Sequence, residues 1–372
     1  VSVLYWRVSA AAMVRRQPAS VKWSAATIRR GVGLTLWCER FGVGLHPALF
    51  VEDRGDGVRL YTREAVAAGT ALVVVPSSVV FAPSTAARTT LPFALPAPPF
   101  PVETPAICAV LCCTDWFAWA EPAWRLASEL CCASSRWWGW LGQLPSPWAL
   151  HEAFHGDAAQ AAFVAAGRAG DLAYWRRLAG NMAAEADAAY DALASMPNAV
   201  VPPRNSFRHA TKLLLRRSMW VPSAAPLVIE AGSVEPALVP IIDCAGLVDA
   251  AAPAAHRQRG TAFASVDVVD EFAQCPGWYT APDDGCDITG DATTDEREQE
   301  RRRARAATLD GGADRVALRR RAGVAGYYLS LTLEDDAAAS DAICAGVPLP
   351  ASPDPREYPL LTYTRLGTLP PP

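Results

Sequence analysis

A chain of 372 residues, 51% of them hydrophobic, can bury one large core or two ordinary ones, which excludes a protein disordered throughout. Its 34 Lys and Arg against 38 Asp and Glu give a net charge of −4 and a pI near 5.8. The overall basic field that nucleic-acid binding rests on is therefore missing, and nucleic acid is not expected as a primary partner. The ten cysteines show no paired CxxC or Cys/His run of zinc spacing and read as small buried hydrophobes in a reducing compartment, so no metal is expected.

Residues 1–33 form a basic N-terminal tail that carries Arg7, Arg15, Arg16, Lys22, Arg29 and Arg30, and no acid precedes Glu39. That composition fits a mitochondrial transit peptide, a basic disordered tail, or a reading frame extended upstream of Met13. The compartment is accordingly read as mitochondrial or cytoplasmic. Within 34–46, Leu34, Trp37, Cys38 and Phe41 fall at i, i+3, i+4 and i+7, which predicts a short helix ending near Gly42 or Gly44. Three β-rich runs follow, LFVED, GVRLYT and TALVVVP, separated by glycine-containing turns and closed by Pro76. Residues 82–105 are rich in Pro, Ala and Thr and read as a surface loop.

Helical signals dominate from 106 to about 219, broken by Trp137, Trp138 and Trp140 and by Pro145, Pro147, Pro202 and Pro203. The apolar run 107–120 is interrupted by Asp115 and is shorter than the roughly 20 residues a membrane span needs, so no membrane partner is expected. The segment LVPIIDCAGL (238–247) reads as a buried strand running into a turn, and 263–272 as a further strand. The charge-dense stretch 283–321 reads as a solvated insertion, with a basic docking patch as the alternative. Two short apolar runs occupy 342–369. The expected organisation is thus the tail 1–33, a first core part 34–99, a helical insert 100–235 and a second core part 236–369 that contains the charged insertion.

Four stretches carry a more specific signal. The first, residues 36–76, combines an opening helix, a loop with Gly57, and the unit Ala68, Gly69, Leu72 and Pro76. The second, residues 126–145, places Leu126, Glu129, Ser135, Trp137, Trp140, Leu144 and Pro145 in one pattern. The third, FRHATKLLLRRSM, holds Phe207, Ala210 and Arg217, and the fourth is LVPIIDCAGL with Asp243. In this order, and with Tyr363 in LLTYTRLG near the end, the chain resembles the SET-domain proteins of the Rubisco large-subunit methyltransferase-like class.

The resemblance implies an α+β fold, a β-rich SET core split by a helical insert (iSET), with the C-terminal substrate-binding helical domain absent because the chain stops at Pro372. It also implies S-adenosylmethionine as cofactor and a protein or peptide as substrate, lysine being favoured over histidine as acceptor. A catalytically silent SET scaffold that binds a protein partner is the alternative, and a truncated reading frame a third. The residues it assigns are Tyr363, in a strand, for catalysis, and Gly57, Arg59, Glu129, Arg217, Asp243 and Gly246 on the cofactor side. Oligomeric state is left open.

The chain departs from the family pattern at several of these positions. Val58 and Arg59 follow Gly57 where a second glycine is usual, and Gly246 and Leu247 replace an Asn-His pair. Arg216 stands in place of a serine, and Thr364 in place of a glycine. Plain structural readings stand beside the functional ones: packing or ion-pair roles for Glu129 and Arg217, a turn cap for Asp243, a positive backbone angle for Gly57, a strand tyrosine for Tyr363, and core packing for the tryptophans. His151 and His155 are spaced at i, i+4 without an evident third metal ligand, and no nucleophile elbow supports a hydrolase.

Overall fold

The computed structural model describes residues 25–53, 58–82, 106–111, 113, 116–132, 135, 137–196, 200–222, 234–249, 260–269, 276, 279, 328–347 and 357–366. Gly57, the Pro-rich stretch 83–105 and the charged insertion 283–321 lie outside them, as does most of the basic tail. Helix α1 (Ala25–Phe41) buries Leu34, Trp37, Cys38 and Phe41 together, as their spacing requires. It stops at Gly42, whose φ of 70° lets the Val43 N–H turn back to the Cys38 carbonyl at 2.9 Å. Strands β1 (Gly44–Leu45), β2 (Leu49–Asp53), β3 (Val58–Thr62) and β4 (Ala71–Pro76) follow, with β2 and β3 paired antiparallel from Leu49↔Thr62 to Asp53↔Val58.

Helices fill the middle of the chain: α2 (Ala106–Leu111), α3 (Phe117–Cys131), α4 (Trp138–Leu141), α5 (Pro147–His155), α6 (Asp157–Ala165), α7 (Leu172–Ala194) and α8 (Arg204–Arg217). Their ends are set by local chemistry. Ser146 caps α5 by accepting from the Ala149 N–H, with Pro147 at the first helical position. The Glu185 carboxylate of α7 accepts from the first two N–H groups of α2, at 2.7 and 2.9 Å. Arg208 of α8 forms a two-pronged contact with Asp187 of α7, at 2.7 and 2.6 Å, and Arg204 pairs with Asp191. Trp119, Trp124, Trp140 and Trp175 are fully buried in this helical layer and its junction with the sheet.

The chain then returns to strands. After the antiparallel pair β5 (Met219–Pro222) and β6 (Val234–Ala237) come β7 (Gly246–Asp249), β8 (Thr261–Val269), β9 (Tyr328–Leu333) and β10 (Ala342–Val347), and helix α9 (Glu357–Leu366). The fold is α+β: an eight-stranded sheet in the order β1-β4-β9-β8-β10-β3-β2, with β7 joined to β10, is assembled from both ends of the chain. Its buried residues share one hydrophobic core with the helices. Strand β10 pairs with β8 in parallel and with β3 at Ala342↔Tyr61, then takes β7 in parallel from Cys344↔Gly246 to Val347↔Asp249.

Two segments close the ends on each other. The Val66 N–H donates to the Ala337 carbonyl at 2.9 Å, and the Ala337 N–H returns to Val66 at 2.8 Å. The Gly69 N–H meets the Leu333 carbonyl at 2.7 Å, while the Ser340 N–H meets the Thr62 carbonyl at 2.8 Å. The Thr62 N–H bonds Asp341 and the Leu333 N–H bonds Thr70, each at 3.0 Å, so the contacts repeat with the partners exchanged, as a two-fold relation demands. Gly69 and Ser340 are equivalent in it, with φ of 77° and 73°.

Two expectations from the sequence are corrected. The 238–247 segment is not a strand running into a turn: it makes a bridge at Leu238, a 3-10 turn at Ile242–Cys244, and only then strand β7. Pro240 has no N–H for a ladder and Ile241 turns the chain at φ 72°, so the strand begins after them. The run around Tyr363 is helix α9 and not a strand. Leu360, Tyr363 and Thr364, at i, i+3 and i+4, are all buried, and a short apolar run does not separate the two periods by itself.

The two-fold relation yields a test. A non-glycine residue in the left-handed region costs roughly 1 kcal/mol, and no atom lies within 4 Å of a Cβ added at Gly69, so backbone strain is the only local cost there. Gly69→Ala is expected to lower stability by about 1 kcal/mol and Ser340→Gly to raise it by about 0.5 kcal/mol. Urea unfolding of both variants checks the opposite signs.

Candidate functional site

The 3-10 turn before β7 is held from four sides. The Trp140 indole N–H donates to both Asp243 carboxylate oxygens, at 3.1 and 3.3 Å, and the Ile241 backbone N–H donates to the same carboxylate. The Cys244 thiol lies at 3.6 Å from one of its oxygens. Arg217, the last residue of α8, donates from Nη1 to the Asp243 main-chain carbonyl at 2.7 Å. Asp243 is 1% exposed, and burial raises its carboxyl from 3.8 to about 6 against the opposing pull of Arg217 and the hydrogen bonds. The carboxylate is occupied by the chain itself, so its work is to hold the turn.

Ile241 sits at φ 72° and ψ −50°, an uncommon conformation for a β-branched residue, and is fully buried. This local strain is compensated by the bonds that Asp243 gathers around it. The turn then delivers Gly246 opposite Cys344 of β10. A Cβ on Gly246 would lie 3.1 Å from the Cys344 Sγ, so the thiol takes up space that a side chain at 246 would use. Arg59, exposed on β3, acts electrostatically on the same thiol, which burial raises above its usual range. Arg217, Asp243 and Gly246 are therefore gathered around one turn, and Arg59 reaches their neighbourhood through Cys344.

The remaining candidates are placed differently. Gly57 lies outside the described residues. Glu129 is half-buried near the end of α3 and makes no hydrogen bond or ion pair to Arg217 or Asp243; Cys131, two residues on, meets Ser206 in the first turn of α8, the end opposite Arg217. Tyr363 is 2% exposed on α9, a helix packed on α8 and β7. Its hydroxyl donates to the Ala153 carbonyl at 2.9 Å, and its ring meets Phe163 and Trp175 edge-on at 5.1 and 5.0 Å. The Arg216 guanidinium packs on the other side, 4.9 Å from the ring centroid.

Sequence reasoning gave no pairing of Trp140 with Asp243 and no sign of the Ile241 strain. A usable signal for the first existed: a buried indole N–H needs an acceptor, and Asp243 is the acid in the adjacent motif. Of the tryptophan cluster, Trp137 and Trp140 are core, while Trp138 is 57% exposed. The His151 and His155 rings lie 5.4 Å apart, and no group of three metal-ligating side chains forms among the described residues. Among them, too, no helix is long and apolar enough to cross a membrane.

The structure is similar to the SET domain of LSMT bound to lysine and AdoHcy, at 13% identity and a TM-score of 0.43, over 93% of this chain and 58% of that one. It is also similar to Rubisco LSMT bound to AdoMet, at 12% identity and a TM-score of 0.41, over 91% and 56% of the two chains. The chain thus spans less than two thirds of the length of these proteins, which are of the class that the four sequence stretches resemble. No family model matches the chain. No curated protein matches it either.

Asp243 makes the site sensitive to pH. The folded state holds its proton up to about 6, whereas the unfolded carboxyl releases it near 3.8. The stabilising contribution is complete below the lower value and is lost as pH rises through the higher one. Asp243→Asn has no such proton, so between about pH 3.5 and about pH 7 the variant is expected to gain about 3 kcal/mol on the wild type. Urea unfolding at each pH measures this difference, and a difference that stays flat removes the buried acid from the account.

Proposed function

We propose that the chain binds S-adenosylmethionine and transfers its methyl group to an amine of a protein substrate, with lysine as acceptor. One observation supports this most: Arg217, which the resemblance assigns to the cofactor side, is anchored through the Asp243 carbonyl to the turn that feeds β7. A guanidinium carries five N–H donors, of which one nitrogen bonds the Asp243 carbonyl and one donor meets the Cys244 sulfur. The rest of the fork suits a carboxylate such as the methionyl end of the cofactor, so the residues fit the group at that end. Bound cofactor would supply an electrophilic methyl group on a sulfonium.

The protein's own share is positioning. Methyl transfer is an in-line displacement that needs a neutral amine held in register, and little acid or base machinery. Asp243 fixes the turn, Arg217 orients the cofactor's carboxylate, and Gly246 lets β7 approach β10 closely. Tyr363 would direct its hydroxyl at the acceptor nitrogen after giving up its bond to Ala153. One observation favours a second reading, a catalytically silent binder of a protein partner: the Tyr363 hydroxyl is already bonded to Ala153 and touched by Arg216.

Calorimetric titration with S-adenosylmethionine and S-adenosylhomocysteine tests the first reading. Micromolar binding, about −8 kcal/mol, is expected. Arg217→Ala is expected to weaken it by roughly tenfold or more, the loss of a charge-assisted hydrogen bond. Absence of binding by the wild type overturns the methyltransferase reading.

A further inference from the structure

Arg216, beside Arg217 on α8, has unusual surroundings for a guanidinium. It follows α8 to its last turn beside Arg217, but points to the opposite partner set. Its guanidinium lies 5.0 Å from the centroid of the Phe154 ring and 4.9 Å from that of Tyr363, and hydrogen-bonds the Tyr363 hydroxyl. Its Nε has no hydrogen-bond partner among the described residues. Burial is the largest influence on it, and the group facing it is a phenol rather than a carboxylate. A desolvated guanidinium without an acid is costly, and a large apolar side chain would fill the same space at less cost.

What Arg216 does have is aromatic surface. Phe154, Phe163, Trp175 and Tyr363 form one connected set: Phe154 and Phe163 meet Trp175 at 5.9 and 6.0 Å, and Tyr363 closes on Phe163 and Trp175 edge-on. The Trp175 indole N–H is spent on the Phe154 carbonyl and the Tyr363 hydroxyl on the Ala153 carbonyl, which locks α5, α7 and α9 around the rings. Lys212, one turn before Arg216, brings a second cation to 5.8 Å from the same Phe154 ring. The Phe154 ring meets two cations and the Tyr363 ring one, and neither cation forms an ion pair among the described residues, which gives these faces the character of a recognition site for organic cations. The neighbouring His155 and His209 are held near 4 by burial and by Lys212, so they are neutral at pH 7 and add no competing charge there.

We propose that the Phe154 and Tyr363 faces, backed by Phe163 and Trp175, form a binding site for a protonated alkyl side chain, ammonium or guanidinium, and that Arg216 occupies it in place of an external ligand. This rests on the reading of Tyr363 as the residue that faces the acceptor amine: Arg216 then stands where the acceptor enters, and acceptor binding requires its withdrawal. The chain's own guanidinium is a stand-in for the substrate's side chain, and the site as folded is closed.

The test removes the stand-in and offers replacements. Arg216→Ser is titrated with ethylguanidinium, n-butylammonium and neutral n-butylurea at constant ionic strength, with thermal unfolding as readout. Either cation is expected to raise the variant's Tm by about 3 °C while leaving the wild type and the urea arm unshifted. Equal shifts in variant and wild type, or in the charged and neutral arms, overturn the proposal. Should Arg216→Ser not fold, Arg216→Lys and Arg216→Met leave no hole, and a cation box makes the lysine variant the higher melting. Ordinary desolvation makes it the lower, which also overturns the proposal. No cofactor enters either measurement, so a failure to bind S-adenosylmethionine and a failure of the cation box are separate results.

Discussion

The reciprocal pairing of residues 62–70 with 333–341 is the constraint on which the rest of the structure depends. Each half offers backbone groups that the other half completes, through Val66 and Ala337 at the centre and through Gly69 and Ser340 at the edges. Closing so long a loop carries an entropic cost that grows only slowly with length, so a single well-matched clasp can span a large helical insert. Once it is closed, β4 lies on β9, β3 lies on β10, and the turn before β7 has a fixed place to dock. The helices between them then pack on the sheet as one core rather than forming a separate body.

A buried carboxyl and a half-buried guanidinium in this region show different solutions to desolvation. Asp243 gathers hydrogen bonds from Trp140 and Ile241 and a guanidinium on its own carbonyl, and burial still shifts its carboxyl upward. Arg216 pairs with no acid among the described residues and relies on aromatic faces and a phenol. The first arrangement is spent inside the chain and stiffens it. The second is built from groups that an outside cation could use equally well, so the two neighbouring arginines, Arg216 and Arg217, meet different chemistry although they follow each other in the chain.

Much of the fold was legible in the sequence because it is written in local periodicity. Leu34, Trp37, Cys38 and Phe41 declare one face of α1, and the β-rich runs before Pro76 became β2, β3 and β4. The site was legible only as a set of positions. The resemblance named Arg217, Asp243 and Gly246, but it could not say that Asp243 serves its own turn or that Gly246 faces a cysteine nearly 100 residues away. Tyr363 was misread as a strand residue because six or seven apolar residues fit either period, and the choice was made by packing against α8 and β7.

By itself, then, the sequence determined the α+β class and the order of strand, helix and strand regions, since these follow from hydrophobic period and from motif order. Tertiary structure alone decided which strand segments pair across the insert, that Ile241 is held at a positive φ, and which of two adjacent arginines meets a carbonyl and which an aromatic box. The physical reason is the range of the forces involved. Side-chain periodicity acts over one or two turns of chain, whereas desolvation, hydrogen-bond satisfaction and ring contact depend on neighbours that only the closed fold supplies.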